Sequence, residues 1–308
     1  MIEMTLIGTG ATMPLPERAV TAATLSCGGH TILFDCGEGT QAAARKAKAS
    51  IMRADAVCLT HYHGDHIFGL PGYLQTMGSL GRTEPLYIFG PEGLEDVLET
   101  IMKLCVFLPY ELRPVKLSAE GLKLCELLPG FPQDATLYPI ATEHRVPSQG
   151  YRFELSRPGR FMVEKARALN VPQSCWGRLQ HGESIAVDGR EVSPADVLGE
   201  PRRGLKVVFT GDTTPCQAVL DAAREADLLV MEATYGEDEQ YQLALDHGHS
   251  TFAQTATLAA EAQAKRLWLV HYSGMIDDPQ AYLANAQTHF PGAVCGEDGM
   301  TMTLAFEK

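Results

Sequence analysis

The chain has 308 residues, 45% hydrophobic and 20% charged, figures ordinary for a globular protein that buries a core without disulfides. Its formal net charge of -13 excludes a surface that attracts nucleic acid everywhere, because phosphate binding runs on Lys, Arg and counterion release. Eight dispersed cysteines form no CxxC pair, and the start MIEMTLIGTG lacks a basic segment before a long apolar one, so the expectation is a reduced, cytoplasmic protein. No apolar run approaches the ~18 residues that span a bilayer, and no membrane role is expected.

Along the chain, short β-branched runs alternate with helical patterns and Gly-rich joints. Strands are predicted at MTLIGT, TAATLSC, TILFDC, DAVCLTH, PLYIFG, TLYPIAT, GYRFEL, KVVFTGD, DLLVMEAT, LWLVHY and MTMTLAF. Helices are predicted at GTQAAARKAKA, PEGLEDVLETIMKLC, TPCQAVLDAAREA, STFAQTATLAAEAQAK and DPQAYLANAQ, which carry good helix formers and a Ser, Thr, Asp or Pro near their starts. The alternation favours a layered α/β fold. One segment, roughly 157–204, is rich in Pro, Gly and Arg and weak in strand pattern, and reads as an inserted arm. Across 150–181 six cations (Arg152, Arg157, Arg160, Lys165, Arg167, Arg178) face two anions (Glu154, Glu164), a local reversal inside an acidic chain.

The stretch LTHYHGDHIFGLPG packs His61, His63, Asp65 and His66 into six positions directly after the apolar run AVCL. Other apolar runs also end in metal-type residues: TLYPIATEH in His144, KVVFTGD in Asp212, DLLVMEAT near Glu232, and LWLVHY carries His271. A strand buried on both faces shelters no ionisable side chain along its length, but its end opens to the crevice where α/β active sites form. Imidazoles and carboxylates suit a divalent ion such as zinc, with bonds of about 2.0–2.2 Å. His61 and His63, two apart, reach one ion if the backbone is extended; a sharp turn at Gly64 then presents Asp65 and His66 to a second, and Asp212 bridges the two. Ions about 3.5–4 Å apart activate water for attack at phosphorus or acyl carbon. Asp35 in FDCGEGTQ is either a turn former or a partner that holds a ligating His. His30, His181 and His289 are expected at the surface without partners, and the cysteines as small core residues.

HYHGDH with distant His144, Asp212 and His271 resembles the metallo-β-lactamase superfamily. LIGTGATMP, FDCGEGTQ, LTHYHGDHIFGLPG, VFTGDT, MEAT and GHST together are similar to the ribonuclease Z family within it, endonucleases that remove transfer RNA 3′ trailers. The resemblance implies one four-layer αββα sandwich over 1–308 with a protruding arm at about 157–204. It implies two divalent ions, expected to be Zn2+ with Mn2+ as the alternative. One takes His61, His63, His144 and Asp212, the other Asp65, His66, Asp212 and His271. Asp65 would orient or deprotonate the attacking water, and Glu232 with His249 would protonate the departing 3′ oxygen. Precursor tRNA would be held by Arg18 and by arm residues Arg157, Arg160, Lys165, Arg167 and Arg178, and a homodimer is implied. Departures from the family pattern are VPQSCWGRLQHGES in the arm, Ala19 after Arg18, and Met275 in HYSGMID. Two other readings stand beside this one: the same metals acting on a small phosphodiester or another ester, and a noncatalytic RNA- or metal-binding protein.

Overall fold

A computed structural model describes residues 1–307. The first six strands, β1 (Ile2–Gly8), β2 (Ala22–Cys27), β3 (His30–Phe34), β4 (Ala56–Cys58), β5 (Leu86–Phe89) and β6 (Leu112–Val115), lie side by side in that order. A second sheet begins with β7 (Leu122–Lys123), β8 (Ala135–Ala141) and β9 (Gln149–Arg157). The chain then leaves for a hairpin, β10 (Ile185–Val187) and β11 (Arg190–Val192), and returns as β12 (Arg202–Phe209), β13 (Leu228–Glu232), β14 (Leu267–Val270) and β15 (Ala293–Cys295). Across this sheet the order is β15-β14-β13-β12-β9-β8-β7, and β16 (Thr301–Leu304) crosses back to pair with β1.

Period-two alternation builds the layers. Ile32 and Phe34 of β3, Ala56 and Cys58 of β4, Val207 and Phe209 of β12, and Leu228 and Val230 of β13 share one core between the sheets. Their neighbours Leu33 and Val57 turn outward to one helical layer, and Val208, Leu229 and Met231 to the other. The result is the expected αββα sandwich. Phe34 and Phe209 stack across the sheets with ring centroids 5.1 Å apart, and truncating either to Ala would cost about 3–5 kcal/mol. β3, β4 and β5 run parallel, as do β12, β13, β14 and β15, so within each sheet these strands open at a common edge.

All of the predicted strands form. The short β6, β7, β10, β11 and β15 were not expected. The helix Leu70–Ser79 was also missed, although its buried residues Leu70, Tyr73, Leu74 and Met77 follow helical spacing; Pro71 stands in its first turn, where a missing N–H costs nothing. His30 departs from expectation: it lies in β3, half-buried, with Nδ1 3.1 Å from Asp55 Oδ1 and its ring 5.0 Å from Phe131.

Residues 157–204 hold more order than their composition suggests. Ala166, Val171, Leu179, Ile185, Val192 and Val197 form their own small core. β10 and β11 are joined by Asp188 and Gly189 with φ 50 and 79, the paired left-handed residues that a two-residue hairpin turn requires.

Candidate metal centre and proton relay

After β4 the chain leaves the sheet through Leu59 and Thr60 to His61, and His63 stays extended (φ -65, ψ 152) before the helix Gly64–Ile67. The extended stretch brings His61 Nε2 and His63 Nδ1 to 2.9 Å. Asp65 and His66 follow on a helical turn, which corrects the expectation of a sharp glycine turn: Gly64 is not among the positive-φ residues. Space demands the glycine, because a Cβ there would stand 2.4 Å from the Phe68 ring.

The remote residues arrive from strand ends. His144 Nε2 lies 3.3 Å from His63 Nδ1, and Asp212 Oδ2 lies 3.6 Å from His61 Nε2. On the other side, Asp212 Oδ1 is 3.4 Å from His66 Nε2 and 3.2 Å from His271 Nε2, while Asp65 Oδ2 is 3.7 and 3.4 Å from the same two nitrogens. His61, His63, His144 and Asp212 thus converge as one donor group, and Asp65, His66 and His271 as a second. Each oxygen of Asp212 faces one group.

The second nitrogens of the imidazoles show that these donors fit cations. His66 Nδ1 donates to Asp35 Oδ2 at 2.8 Å, His144 Nδ1 to the Gly248 carbonyl at 2.8 Å, and His271 Nδ1 to Thr234 Oγ1 at 2.9 Å. His61 Nδ1 meets Thr60 Oγ1 at 3.1 Å. With Nδ1 carrying the proton, Nε2 turns a lone pair into the cavity, and His66 Nε2 and His271 Nε2 face each other at 3.2 Å. Asp212 Oδ1 is buried without any hydrogen-bond partner. Opposed lone pairs beside an unpartnered buried carboxylate oxygen are what a pair of cations would reconcile.

Behind the donors stands a set of buried acceptors. Asp35, fully buried, takes Thr60 N–H at 2.7 Å, Thr60 Oγ1–H at 2.8 Å and His66, which makes it the hydrogen-bond partner of a candidate ligand and not a simple turn former. Both Asp35 (φ 53) and His271 (φ 61) adopt left-handed backbone directly after β3 and β14, strain of order 1–3 kcal/mol each of the kind that collects at functional sites. Glu232 is buried at the end of β13 and accepts from Thr213 N, Thr234 N, Thr234 Oγ1 and Ser250 N. Its Oε1 also holds His249 Nδ1 at 2.7 Å. Thr60 and Thr234, which sequence reasoning passed over, tie each carboxylate to a metal-type His. Cys36 also lies close in space, its N–H bonded to the His66 carbonyl at 2.8 Å.

Burial, with the neighbouring His66, lowers His61 to about 2; burial also depresses His63 and His144. All three are neutral imidazoles, the form that binds metal. His66 is driven the other way, burial being outweighed by the Asp212 and Asp35 carboxylates, the same negative charge that would favour a divalent ion beside it. Burial would also lower His249, but Glu232, by charge and hydrogen bond, and then Asp212 carry it up to about 9.

The positively charged candidates are placed less favourably. Arg18 donates to the Ile276 and Asp277 carbonyls, both at 2.9 Å, and stacks over Tyr272 at 5.4 Å, so its guanidinium braces the loop after His271. Arg167 pairs with Glu164 at 3.5 Å, Arg178 with Glu183 at 2.6 Å, and Arg157 donates to the Glu307 carbonyl at 2.6 Å. Lys165 approaches the Leu198 carbonyl at 3.4 Å, and Arg160 has no ion pair among the described residues. Over 157–204 as a whole, eight cations stand against six anions, so much of the excess seen across 150–181 is offset further along. Arg157 ends β9, whose first residue, Gln149, bonds the Thr60 carbonyl; about 27 Å of strand therefore separates the arm's base from the metal centre.

Two family models match parts of the chain, one described as Anti-Pycsar protein Apyc1 over residues 2–103 and one as Beta-lactamase superfamily domain over 178–272. The chain is 38% identical to Ribonuclease Z of Clostridium tetani, covering 100% of both chains. It is 39% identical to Ribonuclease Z of Lachnospira eligens, covering 100% of this chain and 99% of the relative. Among solved structures it superposes on human tRNase Z, short form, with a TM-score of 0.68 and 27% identity over 99% of this chain and 100% of the other. The metallo-beta-lactamase fold protein YhfI of Bacillus subtilis shares the fold, with a TM-score of 0.67 at 19% identity over 98% of both chains. Full-length identity of this extent, on a shared fold, shows that the chain belongs to the ribonuclease Z family of metal-dependent hydrolases.

Proposed function

We propose that this chain is an endoribonuclease that removes 3′ trailers from precursor tRNA with two divalent ions, leaving a 3′-hydroxyl on the tRNA and a 5′-phosphate on the trailer. The observation that carries the reading is the pair of donor groups sharing Asp212 beside the Glu232–His249 pair. His61, His63, His144 and Asp212 would hold one ion, and Asp65, His66, His271 and Asp212 the other. The imidazole-rich set favours Zn2+, and Mn2+ accepts the same donors. When bound, the ions supply Lewis acidity at the scissile phosphate and lower the pKa of water.

The protein's own residues do the rest. Burial would raise the Asp65 carboxyl, but His271 and His66 hold it below the usual range, so it orients the attacking water by accepting a hydrogen bond and is a weak base. Water oxygen joins phosphorus as the bond to the 3′ oxygen breaks. His249, kept protonated by Glu232, delivers its proton to that leaving oxygen from Nε2, since Nδ1 is engaged by the carboxylate. The network around Glu232 leaves the carboxylate no freedom to swing away, which preserves both the charge and the orientation of the imidazole.

The arm, by family likeness, would grip tRNA far from the cut, with Arg157, Arg160, Lys165, Arg167 and Arg178 as its cations; Arg18 would act indirectly by bracing the loop after His271. A homodimer is also part of the reading, and the exposed Leu104, Val106 and Phe107 at the end of the helix Leu94–Cys105 suit a subunit contact. No helix among the described residues is long and apolar enough to cross a membrane, and the eight free cysteines accord with a cytoplasmic setting. A small phosphodiester is the second reading, favoured by the ion pairs that neutralise part of the arm and by Met275, 90% exposed. Chelated protein restored with Zn2+ or Mn2+ and assayed on precursor tRNA beside bis(p-nitrophenyl) phosphate separates the two. Cleavage of the aryl ester alone would favour the second.

A further inference from the structure

We propose that Phe68 is a stacking platform for a nucleobase flanking the scissile phosphate, a specificity contact that positions RNA over the metal centre. The inference rests on the ribonuclease reading of the same site.

Phe68 is 73% exposed, although it directly follows the helix Gly64–Ile67 that carries Asp65 and His66. It lines the cavity with His63, Asp65, Asp212, His249 and His271. An aromatic ring is ordinarily buried for its area; this one stands in water at the mouth of a polar cavity. Its position is built. Phe68 N–H bonds the Gly64 carbonyl at 2.9 Å, and ring atoms Cε2, Cδ2 and Cζ lie 2.4, 2.7 and 3.0 Å from where a Cβ on residue 64 would be. The glycine within the metal motif therefore makes room for the ring, and any other side chain would displace it.

Pro14 and the exposed Glu38 line the same cavity, Met13 beside Pro14 is 55% exposed, and Met275 stands on the loop after His271. Arg18, the nearest cation in sequence to this rim, is engaged by two backbone carbonyls. No Arg or Lys lines this cavity, and the exposed Arg145, next to His144 and Gly248, stands outside its lining, whereas Phe68 offers a flat π surface to a base. Single-stranded RNA is held by such surfaces, since every base has a stacking face. The trailer junction of a precursor tRNA is single-stranded, so its bases are free to meet the ring.

The experiment combines Phe68→Ala and Phe68→Trp with precursor tRNAs that are abasic at each of the two nucleotides on either side of the cut. Phe68→Ala should raise KM roughly tenfold, as for loss of a stacked base, with metal content and sedimentation as in the parent, and Phe68→Trp should restore most of the loss. At one position the abasic substitution should weaken the parent but add nothing to Phe68→Ala. In parallel, a short RNA carrying 2-aminopurine at that nucleotide should be quenched by the His249→Ala protein and not by the double variant with Phe68→Ala. The fluorescence arm reads stacking without turnover: if the parent fails to cut any precursor tRNA, the ribonuclease reading falls while quenching still decides the stacking surface. Equal abasic losses with and without the ring and unchanged quenching would overturn the proposal. So would a change in sedimentation on Phe68→Ala, which would make the ring a subunit contact.

Discussion

Replacing Asp35 with Asn removes one buried charge and changes almost nothing in shape. The position has φ 53, and Asn tolerates left-handed backbone as well as Asp does, so the turn after β3 should survive. The hydrogen bonds do not. Oδ1 accepts Thr60 N–H at 2.7 Å, and Oδ2 accepts both Thr60 Oγ1–H and His66 Nδ1–H at 2.8 Å. An amide can accept at one end only, so either Thr60 N–H or the His66 pair meets an NH2 donor. The charge-assisted bond that fixes the His66 tautomer is weakened or lost, and losses of this kind typically reduce metal affinity about 10–100-fold, or ~1.4–2.8 kcal/mol. The effect should fall mainly on the His66 side, because Asp35 bonds His66 directly but reaches His61 only through Thr60 Oγ1, and touches neither His63 nor His144. Competition against a chelating indicator would read it: two ions bind the parent, whereas Asp35→Asn keeps the His61 ion near parent affinity and weakens the His66 ion by that factor. Parent-like affinity for both ions would refute the assigned role of Asp35, and equal weakening of both would show a collapse of the whole turn.

Asp212→Ala should remove both ions by elemental analysis, whereas His63→Ala or His144→Ala should leave the ion held by Asp65, His66 and His271, since only Asp212 faces both groups. His249→Ala should retain both metals yet lose about 10²–10⁴-fold in turnover on RNA, and far less on an ester of p-nitrophenol, which departs without a proton. With His249 raised to about 9, its acid form is present below that pH and is lost above it. Turnover of RNA should accordingly fall as pH rises through about 9, and Glu232→Gln should bring that fall down toward the ordinary value of 6.5. Joining 159 to 199 through a short linker removes the arm with its own core, because Gly199 N–H already bonds the Arg160 carbonyl at 2.8 Å. The truncated protein should keep its metals, lose affinity for precursor tRNA and lose the steep salt dependence of the parent.

The convergence of these His and Asp donors was legible because such residues have no obvious packing purpose: three His and an Asp stand within six residues, and His144, Asp212 and His271 announce themselves by ending apolar runs. The layers were legible from period-two alternation, as in the Leu33 and Val57 that turn away from Phe34 and Cys58. Thr60 and Thr234 were not, since a Thr after a strand looks like any turn residue until the fold sets its hydroxyl between a carboxylate and an imidazole. Gly64 was misread because sequence offers a glycine's dihedral freedom as the usual motive, and here the motive is the Phe68 ring. The β10–β11 hairpin carried its signal in VDGR, flanked by alternating residues, but Arg and Pro nearby masked it. The arm's charge was overstated by a window that ended before Glu183, Asp188, Glu191, Asp196 and Glu200. Where the guanidinium groups go is a tertiary fact; Arg157 reaches a carbonyl 150 residues away.

The central claim is that two ions sharing Asp212 cut precursor tRNA internally. The most direct test is end-group mapping of a precursor tRNA whose trailer is blocked at its 3′ end, incubated with metal-free protein and with protein restored to two ions per chain. The account predicts no cleavage without metal, and with it a single internal cut giving a tRNA with a 3′-hydroxyl and an intact blocked trailer with a 5′-phosphate. Cleavage that persists after complete metal removal, or products bearing a 3′-phosphate, would contradict it.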